Sequence, residues 1–575
     1  MTAVRGWMAA GRQALARGDH ARAIAAFEQA ADNNPDHAGV FLALGRARIL
    51  SGAPGAAAEA FARASELEPG NAEAWRALAE ALRFVDRLDE ALEAIGRAVV
   101  LAPDDGRVLA QQVFVAQRAC AWDGLEAARS RLAAVTVAAI NAGRPSPMRP
   151  FMAATCFDDP ALAHAVARSE SMVQARRAGT VEAPPWRHRN GPLTIGYLSA
   201  GFGAHPTGHL LRGLFGHHDR ERFRIVGLAL NRDDGSQFRR DIAAGCDAFI
   251  PLAGRDNRAA AAAIGAAGVD ILIDLHGWLQ NHRMAIMARR AAPVQVSWLG
   301  FPGTTGAPFI DWLIGDPVVS PPSDQRHFTE RLVRLPETYQ ANDPHPQVGA
   351  PTSRVEQGLP EDAVVMACFN VSYKIDPASF ALFCEVLQRT PQAVLWLLET
   401  NPTARANLIA AATRAGIDPA RLVFAPFAAK HDHLSRLGLA DLALDTGICN
   451  GHTTTTDALW AGVPVVARRG RHFASRVAAS LLGAAGLGDL VADDESAWVA
   501  LAGTLAGDAG RRRACRRHLL EGRDSLALFD TARLARHLEA AFLAMAGLAR
   551  AGIPAQPIDV APVRGPYRKD ATKRL

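Results

Sequence analysis

The first hundred residues repeat with a period of 34. Pro35, Pro69 and Pro103 keep that spacing. The same register aligns Trp7 with Phe41 and Trp75, Ala23 with Ala57 and Ala91, Phe27 with Phe61 and Ile95, and Ala30 with Ala64 and Ala98. Gly11 and Gly45 match as well, and Ala79 takes the third place. Each unit carries an Ala-rich amphipathic stretch, so each predicts a pair of helices whose small residues let the two axes approach closely. Proline then ends the second helix, because it lacks the N–H that the next turn needs. A single unit of this kind cannot bury its own apolar face, so neighbouring units must stack. A weaker fourth unit runs from Gly106 to about Val137.

This 34-residue pattern resembles the tetratricopeptide repeat, which implies an N-terminal α-solenoid over residues 1–137. The prolines at 145, 147, 150, 160, 184 and 185 mark a helical joining segment over 138–190. Beyond Gly191 the texture changes to short apolar runs alternating with helical stretches. Strands are expected at Leu193–Ser199, Phe223–Leu230, Asp270–Leu275 and Pro293–Trp298. A second series follows at Ala363–Phe369, Ala393–Leu398, Leu422–Phe424, Leu439–Asp445 and Val463–Val466. Two successive β/α series predict two Rossmann-like halves, 191–345 and 346–548, with ligands beyond the carboxyl ends of the strands. Residues 549–575 are expected to form a basic flexible tail.

The composition excludes several classes. Hydrophobic residues make up 49% and charged residues 21%, which describes a globular chain and not a disordered one. No apolar run is long enough to span a bilayer, and the opening residues lack the layout of a secretory leader. The seven cysteines have neither metal-ligand nor redox spacing, so free thiols in a reducing cytoplasm are expected. The net charge of +5 comes mostly from residues 564–575, and no basic-aromatic interleaving points to nucleic acid.

Among 63 basic residues only four are lysine: Lys374, Lys430, Lys569 and Lys573. The last two lie in the tail. Lys374 and Lys430 each follow a predicted strand of the second series, where a compact charge on a flexible stem suits a phosphate. The strand ending at Asp445 leads into Thr446-Gly-Ile-Cys-Asn-Gly-His452 and then four threonines. Free N–H groups and hydroxyls at that helix start make an anion site. Thr454 and Asp457 have the spacing of a capping box, and a plain capped helix is the structural alternative. In the first series, Gly201 and Gly203 permit close backbone approach. His205 follows them as a general base, a hydrogen-bond donor to phosphate, or simply a helix cap.

At these residues the chain resembles the O-linked N-acetylglucosamine transferase family, which includes the SPINDLY-like proteins. The resemblance rests on Gly201-Phe-Gly-Ala-His-Pro-Thr-Gly-His209, Trp298-Leu-Gly-Phe-Pro-Gly-Thr-Thr-Gly306, Tyr373-Lys-Ile-Asp-Pro377, Cys449-Asn-Gly-His-Thr-Thr454 and Ser475-Arg-Val-Ala-Ala-Ser480. It implies a GT-B type pair of Rossmann-like domains and an inverting, metal-independent glycosyltransferase with no cofactor. The implied reaction moves N-acetylglucosamine from UDP-GlcNAc to Ser or Thr hydroxyls of a protein or peptide acceptor, which the repeats guide. Carried over by position, the catalytic pair is His205 and Lys374, with Lys374 neutralising the donor diphosphate. Thr453 and Thr454 bind that diphosphate, and His452 lies near the sugar. Lys430 and His433 hold the uridine, and Asp457 the ribose. Three features depart from the family's pattern. Val371 replaces a glutamine of animal members, no long insert separates Asp343 from Val364, and Ala9, Ala43 and Ala77 replace the asparagines that grip acceptor backbone in long members. Some relatives use GDP-fucose, so another donor such as GDP-fucose or UDP-glucose, or a repeat adaptor with a degenerate transferase region, are the alternatives.

Overall fold

The computed structural model describes residues 2–179, 181–186 and 191–563. It divides into two compact units: residues 1–142 with 399–411, and residues 143–398 with 412 onward. Among the described residues no helix is long and apolar enough to cross a membrane, and all seven cysteines are free thiols.

In the first unit the repeat becomes helix pairs. Thr2–Ala16 pairs with His20–Asn33, Ala38–Leu50 with Pro54–Leu67, and Ala72–Phe84 with Leu88–Leu101. Gly106–Arg118 and Leu125–Asn141 follow, so the last helix runs four residues past the expected boundary at 137. Each period-setting proline falls two residues after its helix. The alanine columns are fully buried. The glycine column has a steric cause. A Cβ on Gly11 would stand 2.4 Å from the Phe27 ring, and one on Gly45 would stand 2.4 Å from Phe61. In the third unit Ala79 occupies that position and the smaller Ile95 replaces the ring, so the pair changes together. Gly45→Ala should therefore cost about 1–3 kcal/mol by overpacking. Adding Phe61→Ile should recover most of that loss, read as hydrogen-exchange protection over residues 38–67 in the full chain.

The second unit holds fourteen strands among the described residues. They are β1 (Leu193–Ser199), β2 (Phe223–Ala229), β3 (Ala248–Pro251), β4 (Ile271–Asp274), β5 (Val294–Trp298), β6 (Trp312–Gly315) and β7 (Arg331–Arg334), then β8 (Val364–Cys368), β9 (Ala393–Leu398), β10 (Leu422–Ala425), β11 (Leu442–Leu444), β12 (Val465–Arg468), β13 (Val491–Ala492) and β14 (Ile558–Asp559). Two all-parallel sheets result, in the orders β14-β7-β6-β5-β4-β1-β2-β3 and β10-β9-β8-β11-β12-β13. In each, the chain runs outward one way, then restarts beside its first strand and runs the other way. The switch point lies between β1 and β4 in the first sheet and between β8 and β11 in the second. In doubly wound folds that crevice receives the ligand.

Every expected strand is present within a few residues, while β3, β6, β7, β13 and β14 had no counterpart in the sequence reading. Three are four residues long and two are only two, too short for a clear pattern. The expected division at 548 fails because the chain returns to the first half. Helix Thr531–Arg550 buries Leu534, Leu538, Phe542 and Met545, with the Phe542 ring 6.3 Å from Phe223. Glu539 in that helix accepts from the Asp219 N–H at 2.8 Å and pairs with His218 Nδ1 at 3.2 Å. Residues 549–563 are then no free tail, since β14 pairs with the edge strand β7. Lys569 and Lys573 lie outside the described residues. The two halves are pinned together by Ser480 Oγ donating to Asp316 at 2.6 Å, Arg476 to Asp324 at 2.5 Å, and Gln340 Nε2 to Thr456 Oγ1 at 2.8 Å.

Candidate active site

The switch point of the second sheet gathers most of the expected residues. After β8 the chain makes a tight 3-10 turn, Ser372–Lys374, and Lys374 Nζ donates to the Asn450 carbonyl at 2.6 Å. Asn450 belongs to the loop after β11, which leads into helix Thr453–Trp460. The helix is preceded by His452, and no side chain caps its first N–H groups. Thr454 Oγ1 instead donates to Asn370 Oδ1 at 2.7 Å, while Asp457 pairs with Lys430. The expected capping box is thus absent, because both of its side chains are engaged by other loops. The helix start keeps its donors open toward the crevice, the condition for holding an anion.

Gly451 makes this loop possible. A Cβ there would stand 2.5 Å from Thr455 Oγ1 and 2.7 Å from Thr454 Oγ1. Its N–H donates to Asp445 Oδ1 at 2.7 Å, and Asn370 Nδ2 donates to the same oxygen at 3.0 Å. Asp445 and Asn370 therefore tie the β8 and β11 loops together, and the sequence reading missed both. The only sign was position: each sits at a strand end beside a motif.

Lys430 opens helix Lys430–Leu437, and His433 one turn later packs its ring edge-on to Phe369 at 4.9 Å. Burial lowers the His433 imidazole to about 3, aided by the charges of Arg436 and Lys430. The ring is neutral at pH 7 and suited to stack on a flat heterocycle. Burial also holds His452 well below its usual range, with Lys374 acting in the same direction. The Lys430 charge reaches the other half. It helps burial lower His209 to about 4, as does His205. His209 and Lys430, which come from opposite halves, are thus close enough for the Lys430 charge to act on the ring.

His205 is the N-cap of helix Pro206–Leu211, its Nδ1 accepting from the Thr207 N–H at 3.2 Å. Burial and the neighbouring His276 lower its pKa. A neutral ring whose Nδ1 accepts must carry its proton on Nε2. In this geometry His205 offers a donor to the cleft and has no free lone pair with which to take a proton. The cap and donor readings hold together, and the base reading is the one the geometry opposes.

Asp445 gives the site a pH signature. Burial pushes its carboxyl up to about 6, against the Gly451 and Thr446 N–H groups, Lys374 and Asn370, which hold it down. Its folded value exceeds the unfolded value of about 3.9, so the native state binds the proton more tightly. That contribution is fully present below about 3.9 and is lost as pH rises through about 6. Relative to Asp445→Asn, the wild type should gain about 2–3 kcal/mol between pH 7 and pH 4 in denaturation. His433 has the opposite sign, its depressed pKa removing stability on acidification, so the comparison with Asp445→Asn is what isolates the carboxyl. Among the described residues no group of three His, Cys, Asp or Glu side chains is placed to hold a metal ion.

In the repeats, Ala9 is exposed, Ala43 half-buried and Ala77 buried, so none presents a polar side chain.

The sequence profile described as glycosyl transferase family 41 matches residues 161–349 and 341–538, and tetratricopeptide repeat profiles match residues 4–47 and 48–111. The chain is 35% identical over 446 residues to the probable UDP-N-acetylglucosamine--peptide N-acetylglucosaminyltransferase SEC of Arabidopsis thaliana, an alignment covering 75% of this chain and 46% of the relative. It is 31% identical over 461 residues to the UDP-N-acetylglucosamine--peptide N-acetylglucosaminyltransferase of Caenorhabditis elegans, covering 60% and 40%. The chain thus spans less than half the length of these curated relatives. A solved structure of a lysine-to-methionine mutant of the O-GlcNAc transferase of Thermobaculum terrenum is similar over 96% of this chain and 98% of that one, with a TM-score of 0.72 and 27% identity. With the matched profile spanning residues 161–538, and so all strands but β14, the chain belongs to glycosyl transferase family 41.

Proposed function

We propose that the protein is an inverting, metal-independent transferase that moves N-acetylglucosamine from UDP-GlcNAc to Ser or Thr hydroxyls of a peptide or protein acceptor. The observation that carries this reading is the meeting of Lys374 with an uncapped, threonine-lined helix start at the switch point of the second sheet. That arrangement suits a diphosphate. In this reading the Thr453 and Thr454 region binds the diphosphate, Lys374 neutralises it as the sugar leaves, and His452 lies beside the sugar. Lys430 and His433 hold the uridine, with the His433 ring on uracil, and Asp457 takes the ribose hydroxyls. His205 donates from the other half of the cleft. The repeats bring the acceptor without an asparagine ladder, and seven free thiols accord with a reducing cytoplasm.

Calorimetric titration with UDP, GDP and their sugars tests it. UDP and UDP-GlcNAc should bind, and transfer to peptide should survive EDTA. Selective GDP binding would move the donor to GDP-fucose, and no nucleotide binding at saturating concentration would sink the transferase reading.

A further inference from the structure

The proposed transfer needs a group to take the acceptor's proton, and His205 has no lone pair free for it. The switch point of the first sheet holds a second histidine. His276 lies two residues beyond the end of β4, next to β1 in the sheet, and its ring centroid is 6.2 Å from that of His205, with the planes tilted by 35°. It is 3% exposed. Its Nε2 lies 2.7 Å from the Gln280 carbonyl, which can only accept, so Nε2 carries the proton and Nδ1 holds a lone pair. Among the described residues that Nδ1 is buried without a hydrogen-bond partner. A buried acceptor left open in this way is unusual in a native fold and needs an explanation.

The surroundings hold the ring in place. Both oxygens of Asp274 accept backbone N–H groups, from His276 at 3.1 Å and Gly277 at 3.0 Å. Burial raises the Asp274 carboxyl, while the His276 charge and the two N–H groups hold it down, so a proton gained by His276 favours the ionised carboxylate beside it. Gly277 is left-handed at φ +55°, and a Cβ there would stand 2.5 Å from Phe301 Cβ. The loop is therefore pressed against the loop after β5 and cannot drift.

We propose that His276 Nδ1 takes the proton of the acceptor hydroxyl, directly or through one water positioned by His205 Nε2–H. The proposal rests on the transferase reading. In the step, the acceptor oxygen bonds to the anomeric carbon, and the bond from that carbon to the diphosphate oxygen breaks with its electron pair leaving on UDP. The hydroxyl proton moves to Nδ1. The resulting imidazolium keeps its Nε2–H on Gln280 and its charge beside Asp274, and later releases the proton to solvent.

The test compares wild type, His276→Asn and His276→Gln on a synthetic peptide array containing serine and on the same array with cysteine at each serine. A thiol, with a pKa of about 8.5, is about half ionised at pH 8.5 and needs little help from a base. With the base gone, kcat on serine should fall by about 10²–10⁴. UDP affinity and peptide KM should stay within about twofold, and the cysteine-to-serine rate ratio should rise at least about tenfold at pH 8.5. An unchanged ratio, no cysteine product from the variants, or unimpaired serine transfer would overturn the proposal alone. Loss of UDP binding in both variants would make His276 structural and overturn it too. No transfer by the wild type to any acceptor would instead sink the transferase reading, and this proposal with it.

Discussion

Lys374→Met should lower the rate of transfer by about 10²–10³, roughly 2.7–4 kcal/mol of transition-state stabilisation. The ammonium has three N–H donors; the Asn450 carbonyl engages one and the Cys449 thiol another, which leaves one for an anion. Burial is the largest influence on Asp445, Cys449 and His452 around the loop, and the Lys374 charge acts on all three. In the proposed transfer the diphosphate gains negative charge as the bond to the sugar breaks, and a fixed cation would therefore help the transition state more than the bound donor. Methionine keeps the length and apolar stem without the charge. The expected signature is a fall in kcat larger than the fall in UDP affinity, read by initial rates and calorimetry. Lys374→Arg should rescue little, because a planar guanidinium cannot reproduce a single compact donor at this turn. An unchanged kcat in Lys374→Met would remove Lys374 from the chemistry.

Glu330→Ala should destabilise the second unit by about 3–5 kcal/mol, read as a loss of thermal stability with the transfer activity lost alongside. Glu330 is fully buried. It accepts from Thr304 Oγ1 at 2.6 Å, from the Thr305 N–H at 2.7 Å, and from Thr305 Oγ1. Burial raises its carboxyl, and the threonines hold it down. Two effects compete on truncation: removing a buried carboxylate relieves a desolvation penalty, while three buried donors lose their acceptor. The second wins, at about 1–3 kcal/mol for each donor left unmade. The loop so anchored carries Leu299 at φ +74°, a left-handed conformation that costs a branched residue about 1–3 kcal/mol and persists only when its surroundings enforce it. It also carries Gly300, whose added Cβ would stand 2.2 Å from the Leu275 carbonyl. Releasing the loop therefore loosens the backbone next to His276. Glu330→Gln, which keeps one acceptor oxygen, should lose less than half as much stability.

Much of this architecture was legible before any coordinates. The proline period marked the repeat helices because each helix end is set by a residue's own backbone chemistry. The long strands β1, β2, β5, β8 and β9 announced themselves as apolar runs. Lys374 and the threonine helix stood out because they are rare residue types in contiguous motifs. Contacts made at a distance along the chain leave no such local mark. Thr454 and Asp457 looked like partners of each other, yet their side chains go to Asn370 and Lys430. Residues 549–563 looked like the start of a tail, yet two of them complete a sheet edge set by β7.

The sequence by itself determined the repeat array, the two β/α series and which strand-end loops carry the two lysines and the run of threonines, since these depend on periodicity and on residues adjacent in the chain. Only the tertiary structure decided which nitrogen of His205 keeps its proton, which lone pair of His276 stays open, and that Glu330 anchors the loop after β5. Each of those depends on a partner brought near by packing. A side chain's protonation, its satisfaction and its strain belong to its neighbours in space, which the sequence does not name.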